Sequence, residues 1–313
     1  MEKLGIIGCG TMGHSIALAA AWAGLPVTLH GLDRSETDNA QSAILEKLKM
    51  LSRCELFNPE KIEVIKERIT ITHSIDEIAS VSSFIIEAIP ENMDLKKNLF
   101  QYLDKICGTD VILATNTSGL SPTMIASDTL NPQRTVACHF WNPPHLVPLV
   151  EVIRGEKTND QTVKRALDLL IFMNKKPILV KKEVPGFVGN RLQFALFREA
   201  QYILEQGIAS KEDIDAAVTY GIGRRLPITG PFISADMGGL DIFSAIADYL
   251  FNDLSNANSS SPGLKKLVSD KKFGAKTGEG YYKWGHAFLE EMNQKREKEL
   301  IHFLKSNIGA YED

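Results

Sequence analysis

The stretch Leu4-Gly5-Ile6-Ile7-Gly8-Cys9-Gly10-Thr11-Met12-Gly13 decides the fold. Its first four residues are an uninterrupted apolar run, the pattern of a strand covered on both faces. The run passes directly into G-x-G-x-x-G, and the alanine-rich segment from Ser15 to Ala23 then reads as a helix. In that setting Gly8 permits the tight turn, Gly10 lets the backbone approach a pyrophosphate, and Gly13 lets helix and strand pack closely. Thr11 and Met12 open a helix whose free N–H groups and partial positive charge face the phosphates. The glycine pattern alone is a weak signal. Between a strand and a helix it predicts a dinucleotide site built from Gly8, Gly10, Thr11, Met12 and Gly13.

Further apolar runs, Val27–His30, Ile69–Thr72, Phe84–Ala88, Val111–Ala114, Thr135–Cys138, Val150–Ile153 and Ile178–Val180, alternate with helical stretches. This predicts a Rossmann-type α/β domain, a doubly wound and mostly parallel sheet. Ser35 to Arg68 interrupts the rhythm as a helical pair, with Asn58-Pro59 opening its second member. After Val184-Pro185-Gly186 the strand signal ends, and Ile203, Leu204, Ile208, Ile214, Ala217 and Val218 recur at helical spacing. Two domains are expected: residues 1–183 binding NAD(P), and residues 184–313 all-helical, with a loop over 255–262.

The ribose reader is less plain. Asp33 stands twenty residues after Gly13, but the second strand ends at Gly31. Asp33 reaches the hydroxyls from the loop in one reading, which favours NAD; in the other, Gly31 leaves room for a 2′-phosphate held by Arg34, which favours NADP. The balance lies with NAD.

Composition limits the alternatives. A net charge of −4 over 313 residues gives no reason to expect nucleic acid as a partner. The longest apolar stretch, Ile16 to Gly24, is too short to span a bilayer, and no secretory leader precedes Leu4. Cys9, Cys54, Cys107 and Cys138 lie far apart without a C-x-x-C pair, as expected of reduced thiols in a cytoplasmic protein. The seven histidines are scattered, and His139 and His145 flank a proline-interrupted loop, so no metal site is expected.

The candidate chemistry lies in Asn116-Thr117-Ser118-Gly119, in Cys138-His139-Phe140-Trp141-Asn142-Pro143-Pro144, and in Val150-Glu151-Val152. Singly, Ser118 and His139 have ordinary explanations, a turn cap and a strand-end histidine. Glu151 does not, because a carboxylate among Leu149, Val150, Val152 and Ile153 needs a buried partner. A histidine on the neighbouring strand is the natural one, leaving its second ring nitrogen to take a proton from a hydroxyl.

These segments, with EAIPENMDLKKNLF, TNTSGL, HFWNPPHLVPLVEV, VPGFVGNRLQFALFREA and KFGAKTGEGYYKW, resemble the L-3-hydroxyacyl-CoA dehydrogenases over nearly the whole chain. The resemblance implies that His139 is the catalytic base paired with Glu151, that Ser118 holds the substrate oxygen, and that Asn190 lies opposite. It assigns Glu91, Lys96, Asn142 and Lys276 to the cofactor. It also implies NAD, a short-chain 3-hydroxyacyl-CoA such as 3-hydroxybutyryl-CoA as the small-molecule substrate, a place in fatty acid metabolism, and a homodimer formed by the helical domain. Family members that act on CoA esters contact CoA through a serine and a lysine of the helical insertion. Here the insertion offers Lys47, Lys49 and Arg53 but no counterpart of that pair, and Arg224-Arg225 near the expected cleft suits a free carboxylate. The alternative is therefore a dehydrogenase of a small free hydroxy acid, similar to lambda-crystallin-like gulonate dehydrogenases, without CoA.

Overall fold

The computed structural model describes residues 2–309. Eight strands, β1 (Leu4–Ile7), β2 (Val27–His30), β3 (Ile69–Thr72), β4 (Phe84–Glu87), β5 (Ile112–Thr115), β6 (Thr135–Phe140), β7 (Leu149–Arg154) and β8 (Lys176–Val180), form one sheet. Their order is β3-β2-β1-β4-β5-β6-β7-β8. Every neighbouring pair is parallel except β6–β7. The exception has a simple cause: residues 141–148 are too few for a crossover helix, and a parallel return needs a dozen residues or more. The chain can only turn back beside β6. Strand β6 also runs two residues beyond the expected Cys138, which places His139 inside the sheet rather than after it.

Helices cover both faces. On one lie α1 (Thr11–Trp22) and α2 (Arg34–Arg53), with α3 (Lys61–Glu67) after them; on the other lie α4 (Ile75–Val81), α5 (Met93–Ile106) and the short α6 (Pro122–Ile125). Helix α7 (Asp160–Phe172) returns to the first face, where Val163, Ala166, Leu169 and Leu170 join Ile16, Ile44, Val136 and Val152. Helix starts are locally encoded: Asp33, Ser74, Asn92, Ser121 and Asn159 each accept a hydrogen bond from the N–H three residues on.

The chain divides into two compact units, though not at the expected 183/184 boundary. One comprises the residues up to Val188 together with those from Gln294 onward; the other is Gly189–Asn293. The reason is the C-terminal helix, His286–Gly309. Its Ile301 and Leu304 are buried in the cluster that holds Leu48 and Leu51 of α2 and Phe57 after it, and Lys305 pairs with Glu55 at 3.8 Å. The helical tail thus completes the core of the nucleotide-binding unit instead of belonging wholly to the second one.

The second unit contains α8 (Gly189–Glu205), helices Lys211–Ala217, Pro231–Gly238, Leu240–Leu250 and Pro262–Ser269, and a π-helical turn at Val218–Ile222. Among the described residues these helices bury no side chain fully, and Phe194, Phe232, Met237 and Phe243 stand exposed. No helix among the described residues is long and apolar enough to cross a membrane.

Candidate active site

The glycine turn has the geometry its sequence requires. Gly8 adopts φ +100°, and a β-carbon there would lie 2.7 Å from the carbonyl oxygen of Ala88; one on Gly13 would lie 1.7 Å from the oxygen of Gly8. Neither position tolerates a side chain. At Gly10 no atom approaches within 4 Å of a β-carbon, so the turn is open on the side a pyrophosphate would occupy. Gly10 also caps α1 without a side chain, and the first turn carries no carboxylate, so the helix N-terminus stays free for an anion.

At the ribose end two acids, Asp33 and Glu36, take different contacts. Asp33 caps α2, its Oδ1 accepting from Glu36 N at 2.9 Å. Glu36 instead turns back: its Oε2 accepts from Leu32 N at 3.1 Å and lies 3.8 Å from Cys9 Sγ, inside the glycine turn. Gly31 leaves no room for a side chain, because a β-carbon there would lie 2.6 Å from both Cys9 Sγ and Thr37 Cγ2. Arg34 is exposed and spans 3.7 Å to Asp38. Glu36 was missed in the sequence; its signal is its position in the first turn of α2, which depends on knowing where β2 stops.

Past the carboxyl ends of β4 and β5 a polar network fixes the Ser118 loop. Glu87 and Lys96, both buried, form an ion pair, and Glu87 also accepts from Thr115 Oγ1 at 2.7 Å and Ile89 N at 2.8 Å. Lys96 reaches Glu91 Oε2 at 3.4 Å. Glu91 Oε1 in turn accepts from Thr117 Oγ1 at 2.7 Å, Ser118 N at 2.9 Å and Ser118 Oγ at 3.1 Å. Burial opposes ionisation of Glu91, but the Thr117 and Ser118 hydrogen bonds and the Lys96 charge outweigh it and hold the carboxyl below its ordinary range. The structure therefore brings together Glu91, Lys96 and Ser118, and leaves Ser118 on an exposed loop.

His139 and Glu151 stand directly opposite each other in the β6–β7 register. His139 Nδ1 lies 2.8 Å from Glu151 Oε2, and the carboxylate is wholly buried. Oε2 also accepts from Trp141 Nε1 at 3.2 Å, and Oε1 from Val188 N at 2.8 Å. A carboxylate that accepts only fixes the ring tautomer: Nδ1 carries the hydrogen and Nε2 offers its lone pair. The ring is flanked by Trp141 at 5.7 Å and Phe187 at 5.8 Å between centroids. Asn116 Oδ1 accepts from Phe140 N at 2.8 Å and ties the Ser118 loop to the His139 strand. Asn142 follows, its peptide bond to Pro143 cis.

Two expected residues lie in the second unit. Asn190 is the second residue of α8, and Lys276 lies in the loop between the bridge partners Gly274 and Glu279. Arg224 of that unit sits 5.5 Å from the Tyr220 ring centroid. Among the described residues no cluster of three or more His, Cys, Asp or Glu side chains could hold a metal ion.

Comparison with known proteins identifies the family. The family described as 3-hydroxyacyl-CoA dehydrogenase, NAD binding domain, matches residues 3–184, and its C-terminal domain matches residues 186–284. The 5-formyl-3-hydroxy-2-methylpyridine 4-carboxylate 5-dehydrogenase of Mesorhizobium japonicum is 35% identical over 302 residues, 96% of either chain. A crystal structure of that type of enzyme, described as an NAD+ dependent dismutase, superposes with a TM-score of 0.91 at 34% identity, covering 98% of both chains. The 3-hydroxybutyryl-CoA dehydrogenase of Clostridioides difficile is 36% identical over 282 residues, 90% of this chain and 98% of that one. The (S)-3-hydroxybutyryl-CoA dehydrogenase of Ralstonia eutropha superposes with a TM-score of 0.76 at 34% identity, covering 90% of this chain and 99% of its own. With both family domains present in order, the chain belongs to the 3-hydroxyacyl-CoA dehydrogenase family and is an NAD-dependent oxidoreductase.

Proposed function

We propose that this enzyme oxidises the hydroxyl of a small substrate bearing a free carboxylate, an alcohol or an aldehyde hydrate, and does not require CoA. The observation that carries this is the C-terminal helix. Residues 286–309 lie beyond the two family segments, which end at 284, and Ile301, Leu304 and Lys305 of this helix join α2 and the turn after it, the insertion that the family resemblance assigns to CoA. Relatives named for 3-hydroxybutyryl-CoA match 90% of this chain and nearly all of their own; the pyridine carboxylate dehydrogenase matches 96% of each.

In this reading NAD, held by the Gly8–Gly13 turn with Glu91 and Lys96 near its nicotinamide, supplies the hydride acceptor. Glu36, beside Cys9, reads the adenosine ribose in the role expected of Asp33, and its negative charge disfavours a 2′-phosphate. For Asn142 and Lys276 the family resemblance supports cofactor contacts as well. His139 Nε2 takes the hydroxyl proton while Glu151 stabilises the imidazolium that results. Ser118 and Asn190 steady the substrate oxygen as its charge changes. The second unit, whose helices leave Phe194, Phe232, Met237 and Phe243 uncovered, supports a homodimer.

The family names favour a second reading, oxidation of 3-hydroxybutyryl-CoA. Initial rates of NAD reduction decide between them. Free acids such as gulonate and 3-hydroxybutyrate, and pyridine carboxylates carrying a hydroxymethyl or formyl group, are expected to turn over. A kcat/KM at least a hundredfold higher for 3-hydroxybutyryl-CoA than for every free acid would refute the proposal.

A further inference from the structure

Two buried histidines, His14 and His145, and the half-buried Lys47 take no part in the proton and hydride chemistry. His14, in the first turn of α1, places Nδ1 3.2 Å from the carbonyl oxygen of Cys9. That nitrogen must carry the hydrogen, so Nε2 accepts, and it does so from Lys47 Nζ of α2 at 2.9 Å. Lys47 is half-buried, and its partner is a neutral ring. The other deeply placed lysines differ: Lys96 pairs with Glu87, and Lys175 donates to the carbonyl oxygens of Pro144 and Val147. Among the described residues Lys47 has no carboxylate within ion-pair distance; Glu46 and Glu297 act on it only from further off. Two of its three N–H donors are therefore unspent.

The third group is His145, on the β6–β7 loop six residues past His139. It is 3% exposed, and neither ring nitrogen has a hydrogen-bond partner. Lys47, Lys175 and His14 all lie within electrostatic reach of it. A buried imidazole without a partner is uncommon, because each unmet polar atom costs free energy. An orphaned ring within electrostatic reach of a lysine with spare donors and no counter-charge is a donor set suited to an oxyanion. His14 ties this set to the glycine turn through Cys9, so an anion bound there lies next to the dinucleotide loop.

We propose that Lys47, positioned by His14 and with His145 within electrostatic reach, binds the carboxylate of the substrate. The assignment rests on the small-acid reading above and specifies which residues recognise the acid. The cofactor's pyrophosphate is the other possible source of an oxyanion, but the open Gly10 face and the N-terminus of α1 already supply its donors.

The test uses the full-length enzyme saturated with NADH, titrated calorimetrically with isonicotinate and with its neutral analogue isonicotinamide. The wild type is expected to bind the acid about tenfold or more tightly than the amide, the scale of one charge-assisted contact. In Lys47→Met that preference should vanish while NADH affinity and melting temperature hold; Lys47→Gln is the second variant should the first fold poorly. His145→Phe should reduce the preference without abolishing it. An acid preference that survives in both Lys47 variants overturns the proposal, and so does a parallel loss of NADH affinity, which assigns the charge to the pyrophosphate. Turnover restricted to a CoA ester refutes the small-acid reading, whereas the acid-against-amide comparison reads the site itself.

Discussion

Replacing Glu151 by Gln keeps the shape of the side chain and removes its charge, and the consequences follow from the donors aimed at it. His139 Nδ1 and Trp141 Nε1 share Oε2, and Val188 N uses Oε1. A carboxamide accepts through one oxygen only. If that oxygen takes the Oε2 position, the amide NH2 faces the Val188 N–H, donor against donor, at about 1–3 kcal/mol for a buried unmet pair. The two surviving bonds fall from charge-assisted to neutral, roughly 1 kcal/mol each. The expected loss is therefore about 3–5 kcal/mol of stability, which a domain of ordinary stability survives. In turnover the imidazolium formed on His139 loses an anionic partner at 2.8 Å. Taking about 1–2 kcal/mol for the charge-assisted part of that bond, kcat falls roughly 5- to 30-fold. If the amide turns the other way, its NH2 opposes Nδ1 and forces the hydrogen onto Nε2, and the loss grows to several orders of magnitude. Urea unfolding and steady-state NAD reduction on the same preparation measure both effects. A Glu151→Gln enzyme within twofold of the wild-type kcat would refute the role given to this pair. Trp141→Phe, which removes the Nε1 donor to Glu151 Oε2, should cost less than threefold.

Other outcomes follow from the same coordinates. Glu36→Gln should raise KM for NAD several-fold and narrow the preference over NADP, with kcat changed less than twofold, while Asp33→Ala should mainly lower stability by about 1 kcal/mol as a lost cap; the reverse pattern returns the ribose to Asp33. Burial, reinforced by Lys47, Lys175 and His14, pushes His145 down to about 3, against an ordinary value of 6.5. The unfolded chain therefore binds a proton the folded one refuses, so the stability present above pH 6.5 is lost as pH falls below it, by about 2 kcal/mol at pH 5; His145→Phe should flatten that part of the urea-stability profile, and an unchanged slope between pH 7 and 5 would count against a buried neutral ring. Ile301→Ala and Leu304→Ala, at 6% and 8% exposure, should each cost about 2–4 kcal/mol in urea unfolding followed by fluorescence of the first unit; a change below 0.5 kcal/mol in both would mean that the C-terminal helix does not cover α2.

Much of the fold was readable because the strands are short continuous apolar runs separated by helices, and the turn at Gly8 to Gly13 allows few alternatives. The His139–Glu151 pair was readable for a different reason: a single carboxylate in Leu149–Ile153 has no apolar explanation. The ribose end was not. Whether Asp33 or Glu36 reaches the glycine turn depends on a capping arrangement at the start of α2, and capping chooses among neighbouring acids by geometry that spacing does not carry. The Lys47–His14–His145 group joins three segments distant in sequence, each of which looks ordinary alone. The C-terminal helix escaped for a related reason. The apolar positions of an amphipathic helix show that it covers something, and Leu300, Ile301 and Leu304 would look the same whichever unit they served.

The antiparallel return of β7 makes the spacing between His139 and Glu151 a matter of parity. Side chains on a strand alternate faces, so inserting or deleting one residue within β7 ahead of Glu151 would turn the carboxylate to the opposite side of the sheet and present Val150 or Val152 to the histidine instead. Changes within the loop at 141–148 leave the strand register free to re-form and act instead on what the loop carries, Trp141 against Glu151 and the Pro144 and Val147 carbonyls that accept from Lys175. Length changes inside either strand should therefore break the His139–Glu151 pairing itself, while length changes in the loop should spare the pairing and disturb its surroundings.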